Sequence, residues 1–210
     1  MQQPHDRVQW VYSSTSDQEL EERYDQWAGE YDSDLDQEFG WISPRMASEA
    51  LSRYVPKADS ILDAGAGTGL VGEVLTEMGY SNLVAMDLSL GMLEEARRKE
   101  VYREYHKMTL GEHLGFADGA FDAVIAVGVF TVGHAPANSF DELVRITKPS
   151  GYIVFSLRPD TYEAAGFKQK QDELSSAGMW TLSEVSAQYQ PLPKGEPEVN
   201  HQVWVYQVSG

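Results

Sequence analysis

A short glycine-rich turn between an apolar strand and a helix constrains the fold of this chain more than any other feature. Residues 60–63 form a largely apolar run of strand character, and residues 63–69 read Asp-Ala-Gly-Ala-Gly-Thr-Gly. The next segment, residues 70–78, is typical of a helix that ends at Gly79. Glycines in such a turn let a ligand approach the backbone, and free amides at the start of the helix face the same point. The pattern therefore predicts a strand, a ligand-binding turn and a helix in succession.

Strands and helices alternate along the rest of the chain. We predict strands at residues 83–86, 105–108, 121–127 and 152–157, helices at residues 44–54, 91–99, 139–147 and 164–177, and a turn at residues 148–151. Two β-rich stretches follow, at residues 180–188 and 199–208, separated by a proline-rich loop at 191–197. This alternation predicts an α/β fold, a Rossmann-like, doubly wound and mostly parallel sheet with helices on both faces. The last two stretches would add an antiparallel edge.

The N-terminal part of the chain predicts a helical lid. Its first helix should cover residues 16–29, which open with the capping-box pattern Ser-Asp-Gln-Glu. Tyr24, Trp27 and Tyr31 lie on or near one face of this segment, and the residues around them are strongly acidic. Such a segment has little apolar area of its own to offset its ordering entropy. We therefore expect residues 15–40 to become ordered over a bound ligand.

Composition and charge exclude several classes of protein. The chain carries 33 acidic and 16 basic residues, a net charge of −17, which repels phosphate backbones and anionic bilayers. We expect neither a nucleic-acid nor a membrane partner. Cysteine is absent from the sequence and no histidine–carboxylate group has metal-ligand spacing, so we expect no metal. The N-terminus has no apolar signal region, which favours a cytoplasmic protein, and a monomer is the expected state.

The glycine-rich turn fits two classes of cofactor site. Asp87 ends the second predicted strand beside the turn, where a carboxylate can accept hydrogen bonds from both ribose hydroxyls. Residues 67–72 match the dinucleotide pattern GxGxxG, which would indicate an NAD-dependent oxidoreductase. In that frame, however, the first glycine stands four residues beyond the strand. The acid-led frame at residues 63–69 begins at the strand end and suits a ligand with an ammonium and a carboxylate but no pyrophosphate, so we favour it.

Further segments support the acid-led frame. They are Tyr24-Asp25-x-Trp27-Ala28-x-x-Tyr31-Asp32, Asp87-Leu88-Ser89 followed by Met92-Leu93, Thr109-Leu110-Gly111, Phe121-Asp122-Ala123-Val124-Ile125, Val127-Gly128 and Arg145-Ile146-Thr147-Lys148-Pro149. With residues 63–69 they resemble the motifs of class I S-adenosylmethionine-dependent methyltransferases, and within that class the methyltransferase-like proteins of the Williams–Beuren region. The resemblance is good over residues 24–158 and looser elsewhere. It implies a seven-stranded sheet with an antiparallel last strand, and S-adenosylmethionine as cofactor.

The resemblance also implies which residues bind the cofactor. They are Tyr31, Asp63, Ala64, Gly65, Gly67, Gly69, Asp87, Leu88, Met92, Thr109, Leu110 and Val127. The three glycines would approach the methionine part, while Asp63 would help to fix the turn and the ammonium. Tyr31 would close the pocket over the methionine end.

The adenosine part would lie on the other side of the turn. The resemblance implies that Asp87 binds the ribose and that Leu88 and Met92 enclose the adenine. Many members of the class carry an aspartate at the position of Leu110, where it accepts a hydrogen bond from the adenine amino group. We expect Thr109 or a backbone carbonyl to replace it here.

The length of 210 residues fits a single methyltransferase domain over residues 1–210. Within it we expect the lid at 15–40, the cofactor-binding core at 60–158, and a C-terminal helix with edge strands at 159–210.

Candidate catalytic residues are few, because the methyl group of a sulfonium is already activated and needs mainly in-line alignment. His134, seven residues beyond Val127, is the candidate base for an acceptor that carries a proton, although a loop histidine without a role fits the pattern too. Tyr24 and Trp27 either line the acceptor pocket or pack the first helix on the sheet. The acceptor, a small molecule or a protein side chain, stays open. The alternatives are the NAD-dependent oxidoreductase and a methyltransferase-like protein that binds cofactor without catalysis.

Overall fold

The computed structural model describes residues 4–131 and 133–210 and shows a seven-stranded sheet covered by helices. The strands are β1 (Ile61–Ala64), β2 (Leu83–Asp87), β3 (Glu104–Lys107), β4 (Phe121–Phe130), β5 (Thr147–Leu157), β6 (Trp180–Val185) and β7 (Gln202–Val208). The helices are α1 (Pro4–Tyr12), α2 (Asp17–Ser33), α3 (Ser43–Ser52), α4 (Leu70–Glu77), α5 (Leu90–Arg98), α6 (Ser139–Ile146) and α7 (Phe167–Ser176). A π-helix, Asp34–Phe39, continues α2.

The strand order is β3-β2-β1-β4-β5-β7-β6. β1 lies parallel to β2 and β4, β2 to β3, and β4 to β5. β7 lies antiparallel to both β5 and β6. The predicted α/β fold, a mostly parallel seven-stranded sheet with an antiparallel last strand, is thereby confirmed. The last two strands also form the predicted antiparallel pair at the edge of the sheet, with β7 between β5 and the edge strand β6.

Apolar side chains cover both faces of the sheet. On one face, α3, α4 and α5 pack through buried residues such as Leu51, Leu75 and Leu93. On the other face, α6 and α7 pack through Phe140 and Phe167. The central strands are apolar almost throughout because a parallel sheet between two helix layers has no solvent-facing side.

A third apolar cluster lies between the N-terminal helices and a C-terminal loop. Its buried members are Val8, Val11, Leu20, Trp27, Leu35, Phe39 and Leu192. The sequence does not predict α1, and the first predicted helix covers residues 16–29. A helix as short as α1 is marginal by itself, and burial of Val8 and Val11 in this cluster stabilises it.

The predicted helix starts are confirmed at their caps. Ser16 Oγ accepts a hydrogen bond from the Glu19 amide at 3.2 Å, and Ser89 Oγ accepts one from the Met92 amide at 3.0 Å. The Glu19 carboxylate accepts from the Thr15 amide at 2.8 Å. The reciprocal bond of the capping box therefore reaches one residue further back than the pattern predicts.

The predicted turn at residues 148–151 lies inside β5, as an irregularity of that strand. Pairing passes from Phe121 opposite Thr147 to Ala123 opposite Tyr152, and the intervening Ser150 has a φ of 66°. The extra residues are accommodated as a bulge, which turn-forming residues in a strand commonly indicate.

Within the described ranges 4–131 and 133–210, no helix is long and apolar enough to cross a membrane.

Candidate cofactor site and adjoining cavity

A cavity of about 860 Å³ opens at the carboxyl ends of β1, β2 and β4, where the strand order reverses. It is lined by Asp17, Leu20, Tyr24, Tyr31, Trp41, Gly65, Ala66, Gly67, Thr68, Leu70, Val71, Met86, Asp87, Leu88, Met92, Met108, Thr109, Leu110, Val127, Gly128, Val129, His134 and Ala135. All predicted site residues are in this lining except three. Asp63, Ala64 and Gly69 lie in the elements that support the cavity, and their assignment to direct cofactor contact stays a prediction.

The glycine-rich turn depends on left-handed backbone at three positions. The φ angles are 85° at Gly65, 54° at Gly67 and 91° at Gly69, a region that favours glycine. A Cβ at Gly65 would lie 2.2 Å from Cγ1 of Val129, so a side chain there would collide with β4. A Cβ at Gly67 would meet nothing within 4 Å. The backbone at Gly67 is therefore open to a ligand in the cavity.

The third glycine of the dinucleotide pattern, Gly72, has a packing role. A Cβ at Gly72 would lie 2.4 Å from Cζ of Tyr102. The Tyr102 hydroxyl accepts a hydrogen bond from the Gly72 amide at 3.0 Å and donates one to Asp63 Oδ2. Gly72 thus admits a tyrosine beneath α4, and its presence needs no pyrophosphate to explain it.

Asp87 connects the end of β2 to the glycine-rich turn. Its Oδ2 accepts a hydrogen bond from the Gly67 amide at 2.8 Å, and its Oδ1 accepts one from the Ser89 amide at 2.9 Å. Burial raises the pKa of this carboxyl to about 6, against the opposing effect of these amides. A carboxylate offers about four acceptor sites. Asp87 therefore retains capacity to accept further hydrogen bonds from a ligand in the cavity.

Asp63 lies behind the turn and is 1% exposed. Burial raises its pKa to about 7, and the hydrogen bond from Tyr102 opposes that rise. Its Oδ1 has no hydrogen-bond partner among the described residues. A buried acceptor without a donor is unusual in a folded protein, and it fits a donor supplied by a ligand or a bridging water.

Apolar residues enclose the other end of the cavity. Leu88, Met92 and Leu110 line it, as the predicted adenine site requires, and Thr109 lines it beside them. Asp17, in the first turn of α2, also lines the cavity, and no sequence pattern indicated a role for it. The predicted substitution of Thr109 for the missing aspartate stays a prediction.

Two aspartates of α2 attach this helix to the cofactor-site loops. Asp25 Oδ1 accepts hydrogen bonds from Ser89 Oγ at 2.5 Å and from the Gly91 amide at 2.8 Å. Asp32 accepts one from Thr68 Oγ1. In the sequence both aspartates stand out only as part of a motif, because their partners are more than 35 residues away.

Tyr24 and His134 meet at the wall of the cavity. The Tyr24 hydroxyl and His134 Nε2 lie 2.8 Å apart, and both residues line the cavity. Burial raises the pKa of the Tyr24 hydroxyl well above its usual value, so this group stays protonated. The pair places a proton donor and an imidazole side by side, as the prediction of His134 as a base requires.

A second cavity of about 600 Å³ adjoins the first and shares Tyr24, Tyr31, Trp41 and Gly128 with it. Trp27, predicted to line an acceptor pocket or to pack α2, lines this second cavity and also belongs to the N-terminal cluster. Both interpretations of Trp27 therefore agree with its position.

Comparison with known proteins gives the class of this site. Residues 62–155 match the family described as Methyltransferase domain, and this range contains the glycine-rich turn, Asp87 and β4. Methyltransferase-like protein 27 from Homo sapiens is 37% identical over 165 residues, which are 75% of this chain and 66% of that protein. The chain belongs to the class I S-adenosylmethionine-dependent methyltransferases. Malonyl-[acyl-carrier protein] O-methyltransferase from Marinomonas sp. is 32% identical over 66% of this chain and 51% of its own length.

The fold is shared with solved methyltransferase structures. A structure of an S-adenosyl-L-methionine-dependent methyltransferase from Methanococcus maripaludis superposes with a TM-score of 0.65 at 16% identity, over 88% of this chain and 93% of its own. This class I chain spans about half to two thirds of the length of the two curated relatives named above. S-adenosylmethionine is the cofactor of the class, and the matched residues 62–155 contain the acid-led frame at residues 63–69.

Proposed function

We propose that this chain binds S-adenosylmethionine in the larger cavity and transfers its methyl group in line to a small molecule or a protein side chain. The observation that carries the proposal is the bond between Asp87 and the Gly67 amide, which fixes a carboxylate and an open glycine turn at one cavity. The residues present fit this cofactor. Gly67 leaves the backbone accessible, and Asp63 Oδ1 lacks a donor among the described residues.

Different residues of the chain bind different parts of the cofactor. Asp87 holds the ribose hydroxyls, Gly65 and Gly67 approach the methionine part, and Leu88 with Met92 encloses the adenine. When bound, the cofactor supplies a methyl group activated on a sulfonium. Alignment of acceptor and methyl group in the cavity then accounts for much of the acceleration.

His134 acts as a base for an acceptor that loses a proton on methylation. Its Nε2 lies 2.8 Å from the Tyr24 hydroxyl, and Tyr24 lines both cavities. The tyrosine hydroxyl passes the proton between acceptor and imidazole, since a hydroxyl both donates and accepts.

We propose that the chain acts as a single domain over residues 1–210, as a cytoplasmic monomer. The net charge of −17 supports the absence of a nucleic-acid or anionic-membrane partner, because both carry negative charge. Sedimentation velocity would test the monomer, and a gel-shift assay at low salt would test for nucleic-acid binding.

Thermal unfolding with added ligands tests the cofactor. S-adenosylhomocysteine should raise the melting temperature, because a ligand that binds only the folded state stabilises it by mass action. NAD at the same concentration should leave the melting temperature unchanged. A shift with NAD and none with S-adenosylhomocysteine would contradict the proposal and favour the oxidoreductase alternative.

Transfer of labelled methyl from S-adenosylmethionine to cell extracts tests catalysis. Label should enter a small molecule or a protein, and Asp87→Asn should reduce the incorporation. A chain that binds S-adenosylhomocysteine but labels nothing above that variant would instead be a methyltransferase-like binding protein.

A further inference from the structure

The second cavity is built from parts of the chain that are distant in sequence. It is lined by Val8, Val11, Tyr12, Tyr24, Trp27, Tyr31, Leu35, Trp41, Gly128, Thr131, Pro191, Leu192, Glu196, Val199 and His201. The proline-rich loop that carries Glu196 is attached to the N-terminal part of the chain. The Ile42 amide donates to the Pro191 carbonyl at 3.1 Å, and Gln9 Nε2 donates to Glu196 Oε1 at 3.1 Å.

Aromatic rings form much of this cavity. Tyr12, Tyr24, Trp27, Tyr31 and Trp41 all line it. The centroids of Trp27 and Tyr31 lie 4.8 Å apart, and Tyr24 stacks on Trp27 at 6.3 Å. Faces of tyrosine and tryptophan attract cations as well as apolar groups, and several rings around one space are a typical site for ammonium groups.

Glu196 places a buried carboxylate in this aromatic cavity. The residue is 3% exposed. In the described part of the chain no basic side chain forms a salt bridge with it, and its side-chain partner is the neutral amide of Gln9. A buried carboxylate is costly unless it is paired with a cation or well supplied with donors.

Two charged side chains outside the lining, Arg158 and Asp160, act electrostatically on residues of the lining. Arg158 interacts electrostatically with Glu196, but its guanidinium is paired with Asp160, Nη2 to Oδ2, at 2.6 Å. Burial lowers the pKa of His201 to about 4, so this imidazole is neutral near pH 7. Glu196 and Asp160 each contribute one negative charge, and Arg158 contributes one positive charge. These three side chains therefore carry one net negative charge.

One buried polar atom of the lining also lacks a partner among the described residues. It is Nδ1 of His201, in a residue that is 8% exposed. Buried polar atoms of native proteins are nearly always hydrogen-bonded, to protein, water or ligand. Its position in the lining gives a bound molecule a neutral partner besides Glu196.

We propose that this second cavity is the acceptor site and that its ligand is a small amine, bound as its ammonium form between the aromatic rings and Glu196. This inference rests on the proposed methyl transfer, because an acceptor must lie next to the cofactor cavity and the two cavities share Tyr24, Tyr31, Trp41 and Gly128. The net charge of −17 also favours the approach of a cation.

Methylation of such an amine needs only the groups already named to account for its proton and its electron pairs. The ammonium first gives up a proton to His134 through the Tyr24 hydroxyl. The nitrogen lone pair then forms the new C–N bond while the C–S bond of the sulfonium breaks, and the electron pair of that bond goes to sulfur. The product is a methylated ammonium and S-adenosylhomocysteine.

Three probes with one aromatic body and different charges test the inference. Phenethylamine, 2-phenylethanol and phenylacetate are titrated calorimetrically into the full chain, with and without saturating S-adenosylhomocysteine. Phenethylamine should bind at least about tenfold more tightly than the other two, a difference of about 1.4 kcal/mol. Equal binding of the three, tighter binding of the neutral or anionic probe, or no binding of any would overturn the inference.

A matched pair of variants assigns the preference to one carboxylate. Glu196→Gln should remove the preference for phenethylamine and leave the affinity for 2-phenylethanol unchanged. Glu198→Gln makes the same charge change at an exposed position of the same loop and should behave as the wild type. A preference that survives in Glu196→Gln would contradict the role of Glu196. If Glu196→Gln does not fold, the three probes on the wild-type chain still decide the question.

The affinity for S-adenosylhomocysteine separates the two proposals. Both variants should bind it as the wild type does, since Glu196 does not line the cofactor cavity. Failure of the wild type to bind it would overturn the proposed function. Normal cofactor binding without a preference for the amine would overturn only the acceptor inference.

Discussion

Asp87 has a structural role as well as its proposed role in binding. Its two oxygens accept hydrogen bonds from the Gly67 and Ser89 amides, which hold the glycine-rich turn and the start of α5 at fixed positions. An alanine at this position would leave both amides without their acceptor. Loss of binding in that variant would combine a lost ribose contact with a displaced turn.

Asparagine is therefore the informative substitution at position 87. Asp87→Asn removes the charge but keeps the shape and one of the two acceptor oxygens, so one of the Gly67 and Ser89 amides keeps its acceptor. We expect the affinity for S-adenosylhomocysteine to fall about tenfold to a hundredfold, because hydrogen bonds to a charged group are worth about 1.5–3 kcal/mol. Calorimetric titration measures the change. Asp36→Asn, at an exposed position of the π-helix, is the control and should bind normally; an unchanged affinity in Asp87→Asn would assign the ribose to another residue.

Tyr102 was not predicted to matter, yet its hydroxyl connects two parts of the site. It accepts from the Gly72 amide at 3.0 Å and donates to the buried Asp63 carboxyl. The distance in sequence from either partner, 30 residues or more, explains why no local pattern indicated this role.

Removal of that hydroxyl should destabilise the protein. We expect Tyr102→Phe to lower the free energy of unfolding by about 1–3 kcal/mol, because it leaves buried polar partners unsatisfied. The melting temperature should fall by about 2–4 °C for each kcal/mol in a domain of this size. Tyr105→Phe is the control, since that hydroxyl makes only a long hydrogen bond, 3.4 Å, to the Ala96 carbonyl. Equal melting temperatures of the two variants would show that the Tyr102 hydroxyl adds nothing to stability.

Among the elements, α2 combines the properties of a core helix and of a lid. It buries Leu20 and Trp27 in the N-terminal cluster, so it has more apolar area than its acidic sequence indicates. Its other attachments are polar. Asp25 and Asp32 accept hydrogen bonds from the loops that line the cofactor cavity, and hydrogen bonds at a partly exposed surface open more readily than a packed core.

Hydrogen exchange across residues 15–40 distinguishes these two behaviours. The amides of this segment should exchange more slowly when S-adenosylhomocysteine is bound, because Tyr24 and Tyr31 line the cofactor cavity and gain contacts with the ligand. Residues 167–176 of α7, on the other side of the sheet from α4 and α5, should exchange equally in both states. Equal protection of residues 15–40 would make α2 a permanent part of the core and remove the role of Tyr31 in closing the pocket.

At the scale of the whole molecule, two buried carboxyls make the stability depend on pH. Burial raises the pKa of Asp63 to about 7 and that of Asp87 to about 6, against an ordinary value of 3.8. At pH values between the ordinary and the raised pKa, the folded state binds more protons than the unfolded chain. The free energy of unfolding therefore falls as the pH rises through this window. His201 acts in the opposite sense, because burial lowers its pKa to about 4.

Comparison of the wild type with Asp63→Asn isolates one of these contributions, since His201 is common to both. An amide cannot ionise. The variant should therefore gain stability relative to the wild type as the pH is raised from about 5 to about 8, through the titration of Asp63. Urea unfolding without ligand at the two pH values gives the difference. A difference that does not change with pH would show that Asp63 titrates at its ordinary value in the folded protein.

The sequence by itself determined the sheet, the glycine-rich turn and Asp87. These features depend on near neighbours: a short apolar run makes a buried strand, and serine at positions 16 and 89 caps a helix through an amide three residues on. The order of the last two strands is not local in this sense. The sequence did not indicate that β7, rather than β6, would pair with β5, because either strand can satisfy the backbone at that edge of the sheet.

Only the tertiary structure decided which distant residues share a site. Tyr102 reaches Asp63, Asp25 reaches Ser89, and Glu196 reaches Gln9, across separations of 39, 64 and 187 residues. The periodicity of apolar residues along the sequence does not indicate such contacts. They follow from the order of the strands and from the burial of side chains between layers. The cofactor cavity, built on one strand–turn–helix unit, was therefore predictable from the sequence. The second cavity was not, because it exists only where the N-terminal helices, the end of β4 and the loop of Glu196 meet.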